Sequence, residues 1–465
     1  MYCSSCFSPR LKPYPMQARK EKMNWKEKRK HLFIYIKYMI PSLFDLSVYS
    51  ICSMISGMMT SKWINATAMG AVSVASPYVS FIYAYGLIYG VGGATVVSVY
   101  RGRGEEETAK KAFTLNLTFM VATILAIAAA AFLFANQLAR LLGATPENME
   151  YVIQYLRITA LFTLPYGFSY SLSMLLKADG HPLVGLAGSA AASGTNLILL
   201  FVLVKVMHMD IAGVALATAM AQVVLSIIYF SHFLTKRSTL KLVRFTFSWK
   251  EIGRIVQLGI PDALSEASSG VFAIIFNYLA FRTMGEDGIV IFSIINYINL
   301  LAVQMLLAAT QGMQPLVSFA KGKKDPALCK LYLRFARIFS VVIVAAIFSI
   351  CVFGTDWVVS GFISSGDTHI YAQARRALLI FSGSLIPVGF NIVSIGYFSA
   401  MELPKYSQFL SLFRGSVGIT LIGILLAALL GETGIWLAPA VSEGVSAAIT
   451  LRLFARGKAK AGLVC

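Results

Sequence analysis

Long apolar runs alternate with short, mostly basic polar segments along the whole chain. Runs of membrane length lie at about residues 32–61, 68–100, 112–136, 151–176, 183–205 and 211–235, then at 259–283, 288–316, 332–354, 372–400, 406–430 and 434–454. Crossing a hydrocarbon layer of about 30 Å takes about 20 helical residues, and each run suffices. A single span has to satisfy its own backbone in lipid, so helices are the default. The pattern predicts an all-α integral membrane protein with twelve transmembrane helices.

Composition agrees. The chain is 57% hydrophobic and 13% charged, with a mean hydropathy of +0.71, whereas soluble domains are about a quarter charged. No segment remains for a sizeable soluble domain. A net charge of +19 would suit a nucleic-acid binder, but the 40 basic residues are scattered through short loops and form no aromatic-interleaved patch. No nucleic-acid partner is expected.

The basic residues read instead as topology signals. With the N-terminus inside, the inner segments hold 29 Lys/Arg, the outer loops hold six (Lys62, Arg140, Lys205, Arg282, Arg375 and Arg376), and five lie within the spans. Miscounting one span would destroy that imbalance, so both termini are expected in the cytosol. Residues 1–31 carry nine Lys/Arg and no small-residue cleavage site, which reads as a cytosolic tail and not a removable signal. Met16 and Met23 offer later start points within it. Residues 236–258 mix bases with Leu, Val, Phe and Trp and read as an amphipathic connector along the inner surface. It divides a first lobe, 32–235, from a second, 259–465.

The two lobes are copies. Pro41 matches Pro261, Ser98 matches Ser318 and Gly102 matches Gly322, all at an offset of 220. Gly213/Gly434, Leu216/Leu437 and Ala217/Ala438 follow at 221, and Pro182/Pro404 at 222. An offset that drifts so little marks a duplication. Six spans per copy is an even number, so both copies enter from the same side. They form a parallel repeat about an axis along the membrane normal, an arrangement that places substrate near the midplane between the halves.

Carboxylates inside apolar spans are costly and mark function. Asp45, Asp262, Glu266 and Glu443 qualify. Asp45 and Glu266 are related by an offset of 221, within one position of equivalence, and are expected at matched depth facing the cavity. Asp262 also suits a first-turn carboxylate favoured by the helix dipole. Glu443 has the polar Gln222 as its repeat partner. Removing a carboxylate from water disfavours its charged form, so such a group can exchange a proton or a small cation as its cavity opens to alternate sides. Asp45, Glu266 and Glu443 are the candidate coupling residues. Asn196, Asn277, Gln304 and Asn391 are candidates for the cavity wall, with interhelical hydrogen bonding as the alternative. Tyr85 and Tyr89 share one helix face and suit either a flat cation or plain packing.

Other motifs carry no chemistry. Residues 86–98 are glycine-rich but follow no strand and lack the Lys-Ser/Thr of a phosphate loop. Cys3 and Cys6 lack the second ligand pair of a zinc site, and Cys52, Cys329, Cys351 and Cys465 have no motif spacing. Neither a metal nor a cofactor is expected, and no reactive constellation suggests an enzyme.

The segments GVGGATVVSVYRGRGEEETAKKAF, MLLKADGHPLVG, LGIPDALSEASSG, TQGMQPLVSFAKGK and TGIWLAPAVSEG resemble, in order, the helix-end signatures of the multidrug and toxic-compound extrusion (MATE) transporters. The resemblance covers residues 32–456. It implies a V-shaped pair of six-helix lobes, working as a monomer in a bacterial plasma membrane. It further implies alternating access and H⁺- or Na⁺-driven export of amphipathic, often cationic, small molecules. Glu266 lies in the SEASSG segment and is the better carried-over coupling residue. Many members carry an Asp fifteen residues after the first-span proline, and this chain has Ser56 there. A lipid-linked-sugar flippase of the same superfamily is the alternative. Its cavity would be lined with bases, and the spans offer mainly Arg157 and Arg414.

Overall fold

The structure, a computed structural model, describes residues 23–64, 66–360 and 368–459. The first lobe contains α1 (Trp25–Trp63), α2 (Ala66–Arg103), α3 (Glu106–Leu133), the short α4 (Ala135–Leu141), α5 (Met149–Leu161), α6 (Thr163–Asp179), α7 (Pro182–Leu200) and α8 (Asp210–Leu234). The second contains α9 (Trp249–Gly322), α10 (Pro326–Phe353), the short α11 (Thr355–Ser360), α12 (Thr368–Ser382), α13 (Leu385–Ala400), α14 (Pro404–Leu412) and α15 (Gly418–Ala459). α7 continues into a wider turn at Phe201–Val206, and Phe413–Val417 joins α14 to α15 in the same way. Cys3, Cys6, Met16 and Cys465 lie outside the described residues.

A 74-residue helix such as α9 would be about 110 Å long at 1.5 Å per residue, several bilayers deep. It is two antiparallel limbs. Gly285 (φ 63, ψ −142) lies where a side chain is strongly disfavoured, and Gly288 then packs against the Ala280 carbonyl. Gly431 (φ 58, ψ −133) divides α15 likewise, with Gly434 against Leu426. With these two reversals, the described residues fall into twelve segments of membrane length, matching the sequence expectation.

Two of the expected spans are bent, at equivalent places. The fourth breaks at Phe162 between α5 and α6, and the tenth bends by 42° between α12 and α13. Pro165 and Pro387, repeat equivalents at an offset of 222, lie at these bends, and each removes a helical N–H donor. The basic stretch read as a tail is helical from Trp25 on. Residues 236–248 form no helix and run over the first lobe, with Leu240 buried and Val243 N–H donating to Thr114 Oγ1 at 3.1 Å.

Two apolar cores result, one per repeat, and they interlock. Tyr35, Tyr38 and Met39 of α1 belong to the second core, and Ile255 and Leu258 of α9 to the first. Glycines permit the crossing. A Cβ on Gly92 would strike the Ile255 carbonyl, one on Gly259 the Ile88 carbonyl, and one on Gly312 the backbone of Met39. Gly102 and Gly322 touch each other, each also against the other helix's carbonyl, at Phe319 and Val99. Repeat-equivalent residues that meet each other mark the repeat axis, which passes between them near the basic end of α2 and α9. The lobes are joined at that end.

Candidate functional site

The second lobe holds a cavity of about 100 Å³ lined by both polar and apolar side chains. Both limbs of α9 line it with Asp262, Glu266, Asn299 and Gln304; Arg414 and Glu443 close it from the far side. Pro261 opens the helix one turn before Glu266. The carbonyl it leaves unpaired, Gln257 O, accepts from Gln408 Nε2 at 2.8 Å, and the neighbouring Leu258 O from Ser399 Oγ at 2.7 Å.

Three carboxylates meet this cavity in different states. Glu443 is fully engaged: Arg414 Nε lies 2.6 Å from Oε1, and Asn391 Nδ2 donates to Oε2 at 2.6 Å and to the Glu443 carbonyl at 2.9 Å. Asp262 accepts from Gln314 Nε2 at 3.1 Å. Glu266 is half-buried and makes no hydrogen bond or ion pair among the described residues. Gln304 Oε1, on the same cavity wall, is also unpartnered. An anionic oxygen with no fixed donor is available to a proton, a small cation or a cationic ligand.

In the first lobe Asp45 is half-buried beside Ser173, Ser189 and the buried Lys177. The offset of 220 seen in the glycine crossings pairs Asp45 with Ser265, and Glu266 with Leu46. The two carboxylates therefore differ by about 1.5 Å in depth and about 100° in facing. Ser265 donates to Ser411 at 3.3 Å, the second-lobe counterpart of Asp45 beside Ser189. Gln222 accepts from Ser169 Oγ at 2.8 Å, matching Glu443 with Asn391. In place of Arg414 the first lobe has Ala192.

The other candidates are dispersed. Asn391 supports Glu443 from behind the cavity, and Asn277 is exposed and does not line it. Asn196 Oδ1 accepts from Ser56 Oγ at 2.6 Å, and its Nδ2 donates to Thr218 at 3.3 Å, all within the first lobe. Tyr85 and Tyr89 pack with ring centroids 4.9 Å apart, and the Tyr85 hydroxyl donates to Met120 O at 3.2 Å on α3.

One polar chain was not visible in the sequence. Lys177 Nζ donates across the lobe boundary to Gln311 Oε1 at 2.8 Å. One turn further along α9, Gln314 donates to Asp262. Asp45, Lys177, Gln311, Gln314 and Asp262 thus form a nearly continuous polar line between the lobes. Nothing in the sequence signalled Lys177 as the partner of Gln311.

A duplicated six-helix lobe with buried carboxylates on its inner faces defines a multi-pass membrane transporter. The pattern of the MatE family matches residues 41–202 and again residues 261–428, and the chain belongs to that family. Among relatives, "Multidrug export protein MepA" of Staphylococcus haemolyticus (strain JCSC1435) is 26% identical over 431 residues, 89% of this chain and 92% of that protein. The protein of the same name from Staphylococcus aureus (strain NCTC 8325 / PS 47) is 23% identical over 385 residues, 82% of this chain and 83% of that one. Among solved structures, "Crystal structure of MATE in complex with MaL6" superposes with a TM-score of 0.87 at 20% identity, over 93% of this chain and 97% of that one. "Outward-facing conformation of a multidrug resistance MATE family transporter of the MOP superfamily" follows at 0.84 and 20%, over 95% and 99%. These structures share the fold.

Proposed function

We propose that this transporter is a cation-coupled antiporter that exports amphipathic, cationic small molecules from the cell by alternating access. The observation that carries the reading is Glu266, a carboxylate on the second-lobe cavity with no hydrogen-bond or ion-pair partner among the described residues. A coupling group has to bind and release its ion within one cycle, which a carboxylate held by Arg414 and Asn391, such as Glu443, does poorly. Asp45 is the second coupling group, with Lys177 as the counter-charge that competes with the ion. The coupling ion is H⁺ or Na⁺. The cavity is smaller than the about 300–1,000 Å³ of typical small-molecule sites, which suits an ion; the drug in this reading binds elsewhere, between the lobes. Both termini and the basic helix ends lie in the cytosol of this reading, the membrane is the bacterial plasma membrane, and the working unit is a monomer. Lobes joined at the basic end then form the outward-facing arrangement. The multidrug export named for the staphylococcal relatives supports the substrate class.

Dye efflux from proteoliposomes under an imposed H⁺ or Na⁺ gradient tests this. Wild type should concentrate a cationic dye under one gradient, and Glu266→Gln should lose at least tenfold of the gradient-driven rate. No dye movement under either gradient would remove the drug-antiport reading.

A further inference from the structure

α6 ends at Asp179, Gly180 follows in the left-handed region (φ 92), and the turn presents His181 ahead of Pro182. The last turn of α8 brings His232 to the same point. Asp179 Oδ2 lies 2.8 Å from His232 Nε2 and 3.3 Å from His181 Nδ1, and all three atoms are within 4.8 Å of one another. We propose that these atoms form a binding site for a divalent transition-metal ion of the zinc class, one that clamps the connector between the lobes onto the first lobe.

Three observations carry this. An ion held at about 2.0–2.1 Å in tetrahedral geometry separates its ligand atoms by about 3.4 Å; the Asp179–His181 distance is already close to that value, and the Asp179–His232 contact has only a little to open. Two imidazoles and one carboxylate are a zinc-type donor set with one position left for water. His181 Nδ1 is buried and, among the described residues, faces no polar partner other than the Asp179 carboxylate, so a ligand atom points at the site without other employment. An outer shell already orients the carboxylate: Thr239 N, Thr239 Oγ1 and Leu240 N donate to Asp179 Oδ1 at 3.0, 2.5 and 3.3 Å. Such outer partners raise metal affinity about 10–100-fold. The same bonds belong to residues 236–248, so an ion on Oδ2 joins α6, α8 and the connector at one atom pair. Arg101 lies near Asp179 and opposes the added positive charge, which makes the ion exchangeable.

The experiment uses full-length, tag-free protein in detergent, with Cys3→Ser and Cys6→Ser to remove the tail thiols. After chelator stripping, zinc is titrated against a colorimetric chelator. The parent should bind one zinc per chain, and its melting temperature should rise with zinc. His181→Ala and His232→Ala should each weaken binding at least tenfold and lose the zinc-dependent rise. His31, His208 and His369 remain in both variants and report adventitious imidazole binding. His181→Ala with an unchanged zinc-free melt separates lost ligation from lost folding. If the parent binds no zinc, or if either variant binds it as the parent does, the cluster is only a hydrogen-bonded anchor for the connector and the proposal is overturned.

Discussion

At the scale of single residues, one buried ion pair of the second lobe has no counterpart at the equivalent positions of the first. Arg414 and Glu443 stand where the first lobe has Ala192 and Gln222. Removing one member of a buried pair strands the other charge, at a cost of about 3–5 kcal/mol. Arg414→Ala alone, and Glu443→Gln alone, should each lower the melting temperature of the purified protein. Together they bring the site to the first lobe's Gln222 and Ala192, with Asn391 where the first lobe has Ser169, and most of the lost stability should return. A double variant no more stable than the worse single one would show that the repeat equivalence does not extend to energetics. Glu266, without a partner, should behave differently: Glu266→Gln should leave the melt nearly unchanged while transport falls.

At the scale of elements, the turn between α13 and α14 holds Glu402 against Lys321 of α9, 2.7 Å away, and against Arg254. Burial alone would raise this carboxyl's pKa, but Lys321 and Arg254 outweigh it and hold the pKa below the ordinary glutamate value. A folded-state pKa below the unfolded one gives stability that is complete above the unfolded value and is lost as pH falls through the folded one. Acid below about pH 4.3, the ordinary glutamate value, should therefore destabilise wild type more than Glu402→Gln. The melting temperatures of the two proteins should differ above about pH 4.3, the ordinary glutamate value, and converge as pH falls below it; parallel curves would remove the ion pair from the account. The helix crossings admit a second check. Gly92 and Gly259 approach the facing backbone too closely for a side chain, so Gly92→Val should separate α2 from α9 at the basic end. Its expected effect is at least a tenfold loss of dye efflux, with the helical circular dichroism retained because each lobe has its own core.

At the scale of the whole molecule, the line from Asp45 through Lys177, Gln311 and Gln314 to Asp262 spans the lobe boundary. It can be continuous only while the lobes are joined at the basic end. Lys177→Met removes the bond to Gln311 and the charge beside Asp45, so the joined arrangement should be less populated. Spin-label distances across the basic ends of α6 and α9 should shift to longer values in Lys177→Met, and an unchanged distribution would show that the glycine crossings alone hold the lobes.

Most of the fold was legible because lipid imposes a simple rule. A span is about 20 apolar residues, so span number, the duplication and the rare buried acids follow from one-dimensional pattern. Asp45, Glu266 and Glu443 stood out for that reason alone. Their different states were not legible, since Arg414 and Glu443 come from separate spans and Lys177 and Gln311 from separate lobes. One residue of register likewise turned Asp45 and Glu266 about 100° apart, although both fell within an offset of 221. By itself, then, the sequence determined that this is a two-copy, twelve-helix membrane protein with acids in its spans. Only the tertiary structure decided which acid is free, which is paired, and that Asp179, His181 and His232 meet at one point, because helix rotation and contacts between distant segments are properties of packing and not of period.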